Sequence, residues 1–254
     1  MSSKNIKISF RDGVRKILID RPEKHNALSQ IMYKTLTDTL NQDAKDDKII
    51  VTIITGAGQY YSSGNDIKDQ MNSDLPFEEK LNFAKDLIQA FIDYPKILIA
   101  VVNGPAIGIA ATTAALCDIV YASEKAIFDT PFINLGLCAE GASSYTFPGI
   151  LGRSKASEAL LLNKKITAQD AYKFGLVSEV IAHDKIEGFI ESLHQYGSLP
   201  LNTVKLNKKL IMHNLKNILT DANIREFEGL NECVYSEEFG QAVARFMSKK
   251  KSKL

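Results

Sequence analysis

The sequence predicts an α/β core followed by an all-helical C-terminal segment, and three observations carry that reading. Two uninterrupted aliphatic runs, Ile49 to Thr55 and Ile97 to Val102, have the length and β-branched character of strands buried on both faces. Each opens into a turn of small residues and lies next to a helical pattern, the alternation that builds parallel sheets. After Gly197-Ser198-Leu199-Pro200 the strand-like runs stop and only helical periodicity remains. The expected division is therefore a core over residues 1–196 and a helical segment over 197–254.

The elements follow in order. Ile6 to Phe10 and Val14 to Asp20 read as strands joined by Arg11-Asp12-Gly13, with the glycine supplying a positive φ. Ser29 to Asn41 reads as a helix. Phe77, Leu81, Ala84, Ile88 and Phe91 share one face of an amphipathic helix from Phe77 to Tyr94. A helix rich in small residues is expected from about Pro105, then short strands at Asp118 to Ser123 and Ala126 to Phe128. Thr167 is a plausible N-cap for a helix that Gly175 ends. Three helical patterns close the chain: Asn202 to His213, Ala222 to Val234 and Glu237 to Met247.

Composition excludes several classes. In 254 residues, 45% hydrophobic and 24% charged, the formal net charge is only +1, so nothing in the charge balance points to nucleic acid. The uncharged stretch from Ile97 to Cys117 is long enough to raise the question of a membrane span, but Asn103-Gly104-Pro105 cuts it in two. The N-terminal residues carry neither an apolar signal core nor an Arg-rich amphipathic pattern. Cys117, Cys138 and Cys233 are far apart, with no CxxC pair and no histidine cluster, so no metal or disulfide framework is expected. His183, His194 and His213 lack a neighbouring nucleophile signal. Ser62, Ser63, Ser143 and Ser144 lack the flanking glycines of a nucleophile elbow.

Chemistry is expected where the two buried strands end. The first run leads into Tyr60-Tyr61-Ser62-Ser63-Gly64-Asn65-Asp66, the second into Asn103-Gly104-Pro105-Ala106-Ile107-Gly108-Ile109. Glycine lets backbone approach a ligand, and two such turns side by side could aim two N–H groups at one oxygen. The alternative is that these glycines only permit tight turns. A phosphate loop at Gly56-Ala57-Gly58 is a poor reading, without a third glycine in register or a GK[ST] sequence.

Four segments, taken together and in this order, resemble the signatures of the enoyl-CoA hydratase/isomerase (crotonase) family: Arg21-Pro22-Glu23-Lys24-His25-Asn26-Ala27-Leu28-Ser29, Ser62-Ser63-Gly64-Asn65-Asp66-Ile67-Lys68, Asn103-Gly104-Pro105-Ala106-Ile107-Gly108, and Lys165-Ile166-Thr167-Ala168-Gln169-Asp170-Ala171 leading to Gly175-Leu176-Val177. The resemblance implies a crotonase-like spiral of ββα units with a helical C-terminal domain that packs at subunit contacts in trimers or hexamers. It implies an acyl-CoA substrate whose thioester oxygen meets the N–H groups of Asn65 and Ile109. Coenzyme A would enter as part of that substrate, with no separate cofactor. It would lie along Lys24, Ala27, Leu28, Ser63, Gly64, Asn65, Asp66, Ile67, Lys68 and Gly108, with Phe132 as an acyl-pocket wall. Lys24 and Lys68 would meet its phosphates, or would be ordinary surface lysines.

The resemblance also narrows the reaction. Where the family's hydratases carry two glutamates, this sequence has Thr112 and Phe132, neither able to exchange a proton as a carboxylic acid does. Read alone, Glu140 in Leu137-Cys138-Ala139-Glu140-Gly141-Ala142 is an isolated acid on a loop, open to solvent. Its setting resembles the family's peroxisomal Δ3,Δ2-enoyl-CoA isomerase branch, in which a glutamate here is the catalytic base. A dienoyl-CoA isomerase, with Asp129 as a second acid, a hydratase, and a catalytically silent acyl-CoA-binding protein are the alternatives. Ser252-Lys253-Leu254 has the form of a peroxisomal matrix address read by an import receptor, or is a basic tail.

Overall fold

The computed structural model describes residues 3–72 and 74–251; Ser252-Lys253-Leu254 lie outside them. The chain opens with β1 (Ile6–Arg11) and β2 (Val14–Ile19), an antiparallel hairpin whose turn residues Asp12 and Gly13 both have positive φ. Then follow α1 (Gln30–Asp43), β3 (Val51–Gly56), a short α2 (Ile67–Asn72), α3 (Phe77–Asp93) and β4 (Ile97–Val102). Next come β5 (Ala106–Ile107), α4 (Ile109–Ala114), β6 (Ile119–Ser123) and β7 (Ile127–Asp129). The chain continues with α5 (Ser143–Leu151), α6 (Arg153–Leu162), β8 (Ile166–Thr167), α7 (Ala168–Lys173), β9 (Glu179–Ile181) and α8 (Ile186–Ser192). It ends in α9 (Leu201–Met212), α10 (Leu215–Val234) and α11 (Glu237–Lys251).

One sheet runs β1-β2-β3-β4-β6-β9, parallel from β2 onward, and a second runs β5-β7-β8. The central strands are covered on both faces, as their continuous aliphatic sequences require. In β4, Leu98, Ala100 and Val102 join the main core with α1 and α3, while Ile99 and Val101 join a second cluster completed by α8. That split is the two-residue period of a strand. All six residues of β3 are buried. Thr167 caps α7 by accepting the Asp170 N–H.

The helix expected near Pro105 starts later, at Ile109. Ala106 and Ile107 are drawn into β5: Ser62 N–H donates to the Pro105 carbonyl, Ile107 N–H to Ser62. The helices α5, α6 and α8 had no counterpart in the sequence reading. The last of these covers the second cluster; α5 carries Pro148 inside it. The helix expected from Ala222 starts at Leu215. It packs on α3, where the Asn223 amide donates to the Lys85 carbonyl at 3.2 Å. No helix among the described residues is long and apolar enough to cross a membrane.

Because β3 and β4 are parallel and paired in register to Thr55 and Val101, the turns that follow them leave the sheet at the same edge. Two asparagines lock those turns together. Asn103 Oδ1 accepts the Gly56 N–H at 3.0 Å while its Nδ2 donates to the Gly58 carbonyl at 2.9 Å. Asn26, fully buried with φ 58, accepts the Arg21 N–H at 2.8 Å and donates to the carbonyls of Ala57 (2.9 Å) and Tyr60 (2.7 Å). Asn26→Ala should strand these buried groups and lose the residue type that tolerates a left-handed backbone, costing about 2–4 kcal/mol. Denaturant unfolding of the variant is expected to show a lower midpoint at an unchanged slope.

Candidate active site

The two turns abut at Gly64. A Cβ placed there would lie 2.5 Å from the Ile107 carbonyl oxygen and 3.8 Å from the Gly108 Cα, so only a glycine, here with φ 78, allows the approach. Leu28 and Asn65 form a parallel bridge in which Leu28 N–H donates to Gly64 and Asp66 N–H donates to Leu28. In that pattern the Asn65 N–H faces away from Leu28. Ile109 is the first residue of α4, so its N–H has no partner inside the helix. Gly108, with φ 58, donates its own N–H to the Asp129 carbonyl at 2.8 Å. The structure thus brings Asn65 and Ile109 to adjoining turns.

Glu140 arrives from the other side. It is 4% exposed, not the solvent-open loop residue that its sequence context alone suggested. The next residue, Gly141, packs onto α4 so tightly that a Cβ there would fall 2.2 Å from Thr112 Oγ1. Glu140 Oε1 is buried and accepts no hydrogen bond among the described residues. Burial, and then the charge of Glu226, push its carboxyl up to about 8. Tyr33, buried on α1, reaches the first turn. The Tyr33 hydroxyl donates to Asn65 Oδ1, and burial together with Glu140 raises the phenol well above its usual range. Phe132 is also buried, with its ring 3.7 Å from where a Gly108 Cβ would stand.

The remaining expected residues line the first turn or support it. Ala27 and Leu28 are buried beneath it, and the Ala27 carbonyl accepts the Arg21 guanidinium. Asp66 is held by Arg21 at 2.8 Å and caps α2 by accepting the Lys68 and Asp69 N–H groups. Lys24 and Lys68 are exposed at the rim, and Ile67 and Lys68 open α2. Ser63 Oγ donates to the Lys24 carbonyl at 3.4 Å, joining the two segments. Asp129 points elsewhere: its carboxylate accepts from Asn163 at 2.6 Å and pairs with Lys165 at 3.4 Å. Among the described residues, no group of three or more His, Cys, Asp and Glu side chains could hold a metal ion.

Two residues that the sequence reading passed over belong here. Tyr33 sits on the apolar stripe of α1, where it passes for core. Glu226 of α10 is buried, and its carboxylate accepts the N–H groups of Ala142 at 2.6 Å and Ser144 at 2.8 Å. A signal existed: Ala222, Glu226 and Leu230 recur every four residues on the buried face of α10, so an acid stands in an apolar row.

The sequence pattern of the family described as Enoyl-CoA hydratase/isomerase matches residues 9–254. The chain belongs to the enoyl-CoA hydratase/isomerase family. Among curated family members it is 42% identical over 253 residues to Enoyl-CoA delta isomerase 2 of Rattus norvegicus, covering 98% of this chain and 64% of that protein. It is 40% identical over 258 residues to Enoyl-CoA delta isomerase 3, peroxisomal, of Mus musculus, covering 99% of this chain and 81% of that protein. The chain therefore spans less than two thirds of the rat relative. A solved enoyl-CoA hydratase/isomerase from Pseudoalteromonas atlantica T6c superposes with a TM-score of 0.90 at 33% identity, over 97% of this chain and 98% of that one. The fold is accordingly the crotonase fold.

A buried, unpaired carboxyl has a consequence for stability in this family member. The unfolded chain releases the Glu140 proton near pH 4.5, whereas the folded state holds it until about pH 8. This group's contribution is present at low pH and is lost as pH rises across that interval. Glu140→Gln removes the titration. Its stability relative to the wild type should grow from pH 4.5 to 8, reaching on the order of 4 kcal/mol. Denaturant melts at pH 5 and pH 8 check this.

Proposed function

We propose that this chain is a Δ3,Δ2-enoyl-CoA isomerase, moving the double bond of a 3-enoyl-CoA to the 2-position by a 1,3-proton transfer in fatty-acid β-oxidation. The observation that carries the reading is the setting of Glu140: a buried carboxyl with a free oxygen, packed through Gly141 onto the helix whose first N–H belongs to Ile109. The names of the rat and mouse relatives support it.

The mechanism needs only groups of this site. The thioester oxygen sits at the N–H groups of Asn65 and Ile109. These stabilise negative charge as it develops there; one such donor is worth about 3 kcal/mol in comparable sites. The Glu140 carboxylate removes a proton from C2, leaving a dienolate with its charge on that oxygen. The resulting carboxylic acid returns the proton to C4, and the double bond stands between C2 and C3. No water is added and no electrons leave. The residues where hydratases carry their acids fit this limit: Thr112 is spent on the Ile109 carbonyl at 3.2 Å, and Phe132 walls the turn. A carboxyl with a pKa near 8 is a stronger base than one in water and is still partly ionised at neutral pH.

Lys24, Lys68 and Ser63 would lie along coenzyme A, which arrives with the substrate. A peroxisomal location is supported by the name of the mouse relative and by the Ser252-Lys253-Leu254 motif, which an import receptor would read. Assembly into trimers or hexamers is supported by the exposed apolar residues Leu206, Leu210 and Ile211 on α9.

The direct test is turnover of a 3-enoyl-CoA by wild type and Glu140→Gln. The variant is expected to lose about 10²–10⁴-fold in kcat while still binding the substrate. Wild-type kcat/KM should rise with pH through an acid limb near 8, because the ionised carboxylate is the active form. Wild-type turnover by Glu140→Gln would refute the role given to Glu140.

A further inference from the structure

We propose that Glu226, on a helix 86 residues away in sequence, is a positioning residue for this proton transfer: clamped by two backbone N–H groups, it holds the Glu140 segment against α4 and keeps a second negative charge beside the base. The inference rests on the isomerase reading and goes beyond it, since it gives the C-terminal helices a part in the chemistry.

The geometry has three parts. First, α5 begins at Ser143 behind Ala142, whose side chain cannot cap a helix. The acceptor comes instead from α10, with Glu226 taking the Ala142 and Ser144 N–H groups at 2.6 and 2.8 Å. Second, the chain before Glu140 is tied to the same helix. The Cys138 thiol donates to the Glu226 carbonyl at 3.6 Å, and a Cβ on Gly229 would lie 3.1 Å from that sulfur. Both flanks of Glu140 are therefore fixed to one turn of α10. Third, the backbone through Gly141 and Ala142 is left-handed, with φ 73 and 54. Alanine adopts that conformation at a cost, so a strong acceptor on the Ala142 N–H helps to hold it.

The consequence is a division of labour between two buried acids. Burial raises the Glu226 carboxyl, and the Ser144 and Ala142 N–H groups at the positive end of α5, with Arg225, work against that rise and favour its ionised form. Glu140 Oε1 accepts no hydrogen bond among the described residues, and burial first, then the charge of Glu226, favours its protonated form and makes the ionised form more basic. The other titratable groups around the pair are Tyr33 from α1, Cys138 from the Glu140 segment, and Cys233 and Arg225 from α10. Burial pushes the Cys138 thiol up to about 12 and raises Tyr33, so neither contributes charge near neutral pH. Arg225 is exposed and pairs with Asp221 at 2.8 Å.

The test compares kcat against pH for wild type, Glu140→Gln and Glu226→Gln, with thermal melts of each. Glu226→Gln removes the charge at nearly constant shape. Its acid limb should move to lower pH by roughly one unit, and its plateau kcat should fall several-fold, because a less basic carboxylate is a weaker proton acceptor. A purely structural role would lower the melting temperature and leave the limb in place; a folded Glu226→Gln with an unmoved limb overturns the proposal. If Glu226→Gln does not fold, Glu226→Asp carries the test. Keeping the charge but withdrawing it by one methylene should hold the limb near its wild-type position and lower kcat several-fold, and an unchanged kcat overturns the proposal. Inactive Glu140→Gln with an unmoved Glu226→Gln limb defeats the positioning role alone. Active Glu140→Gln defeats the role given to Glu140 and the positioning role with it, whereas a wild type that turns over no 3-enoyl-CoA defeats the isomerase reading.

Discussion

A carboxylic acid taken out of water without a hydrogen-bonding partner loses several kcal/mol of solvation, and the protein around Glu140 is arranged to bear that loss. Gly141 is seated against Thr112, and Ala142 is held in a left-handed conformation. Remove the packing of α10 on α3 and the Glu226 clamp goes with it. Water would then reach Glu140 and return it to an ordinary, weakly basic carboxylate. The reactivity of the site and the architecture of the C-terminal helices are in this sense one problem.

The opposite wall of the site is backbone, and its position follows from sheet geometry. Parallel strands in register release their chains at one edge, and the side chains of Asn26 and Asn103 bind the released turns to each other. The Gly64 contact with Ile107 then sets how near the residues after the two glycines can come. In the proposed mechanism the Asn65 and Ile109 N–H groups, fixed by these turns, would need no reorganisation as charge develops on the thioester oxygen.

Much of this was legible in the sequence, for definite reasons. The strands β3 and β4 announced themselves because burial on both faces leaves no polar residue in the run beyond threonine. The turns showed because their glycines interrupt otherwise aliphatic segments, and the family resemblance then attached roles to Asn65, Ile109 and Glu140. What was hidden depended on distance along the chain. The two-residue β5 exists only because Ser62 and β7 lie beside it. The helix α5 begins without a side-chain cap of its own, its acceptor being supplied by Glu226. Nothing in the sequence around residue 140 says that the glutamate turns inward; its burial is decided by Thr112, Tyr33 and α10, none of them neighbours in sequence.

The central claim is that one buried carboxyl carries a proton between two carbons in front of two backbone N–H groups. The measurement that reaches it most directly uses a 3-enoyl-CoA deuterated at C2 and converted in a single turnover in ordinary water. A carboxyl that takes the label at C2 and returns it at C4, shielded from solvent, should deliver a substantial fraction of the deuterium to C4 of the 2-enoyl product. Product whose C4 carries only solvent hydrogen would contradict the account, because the proton would then have passed through water or through a second acid.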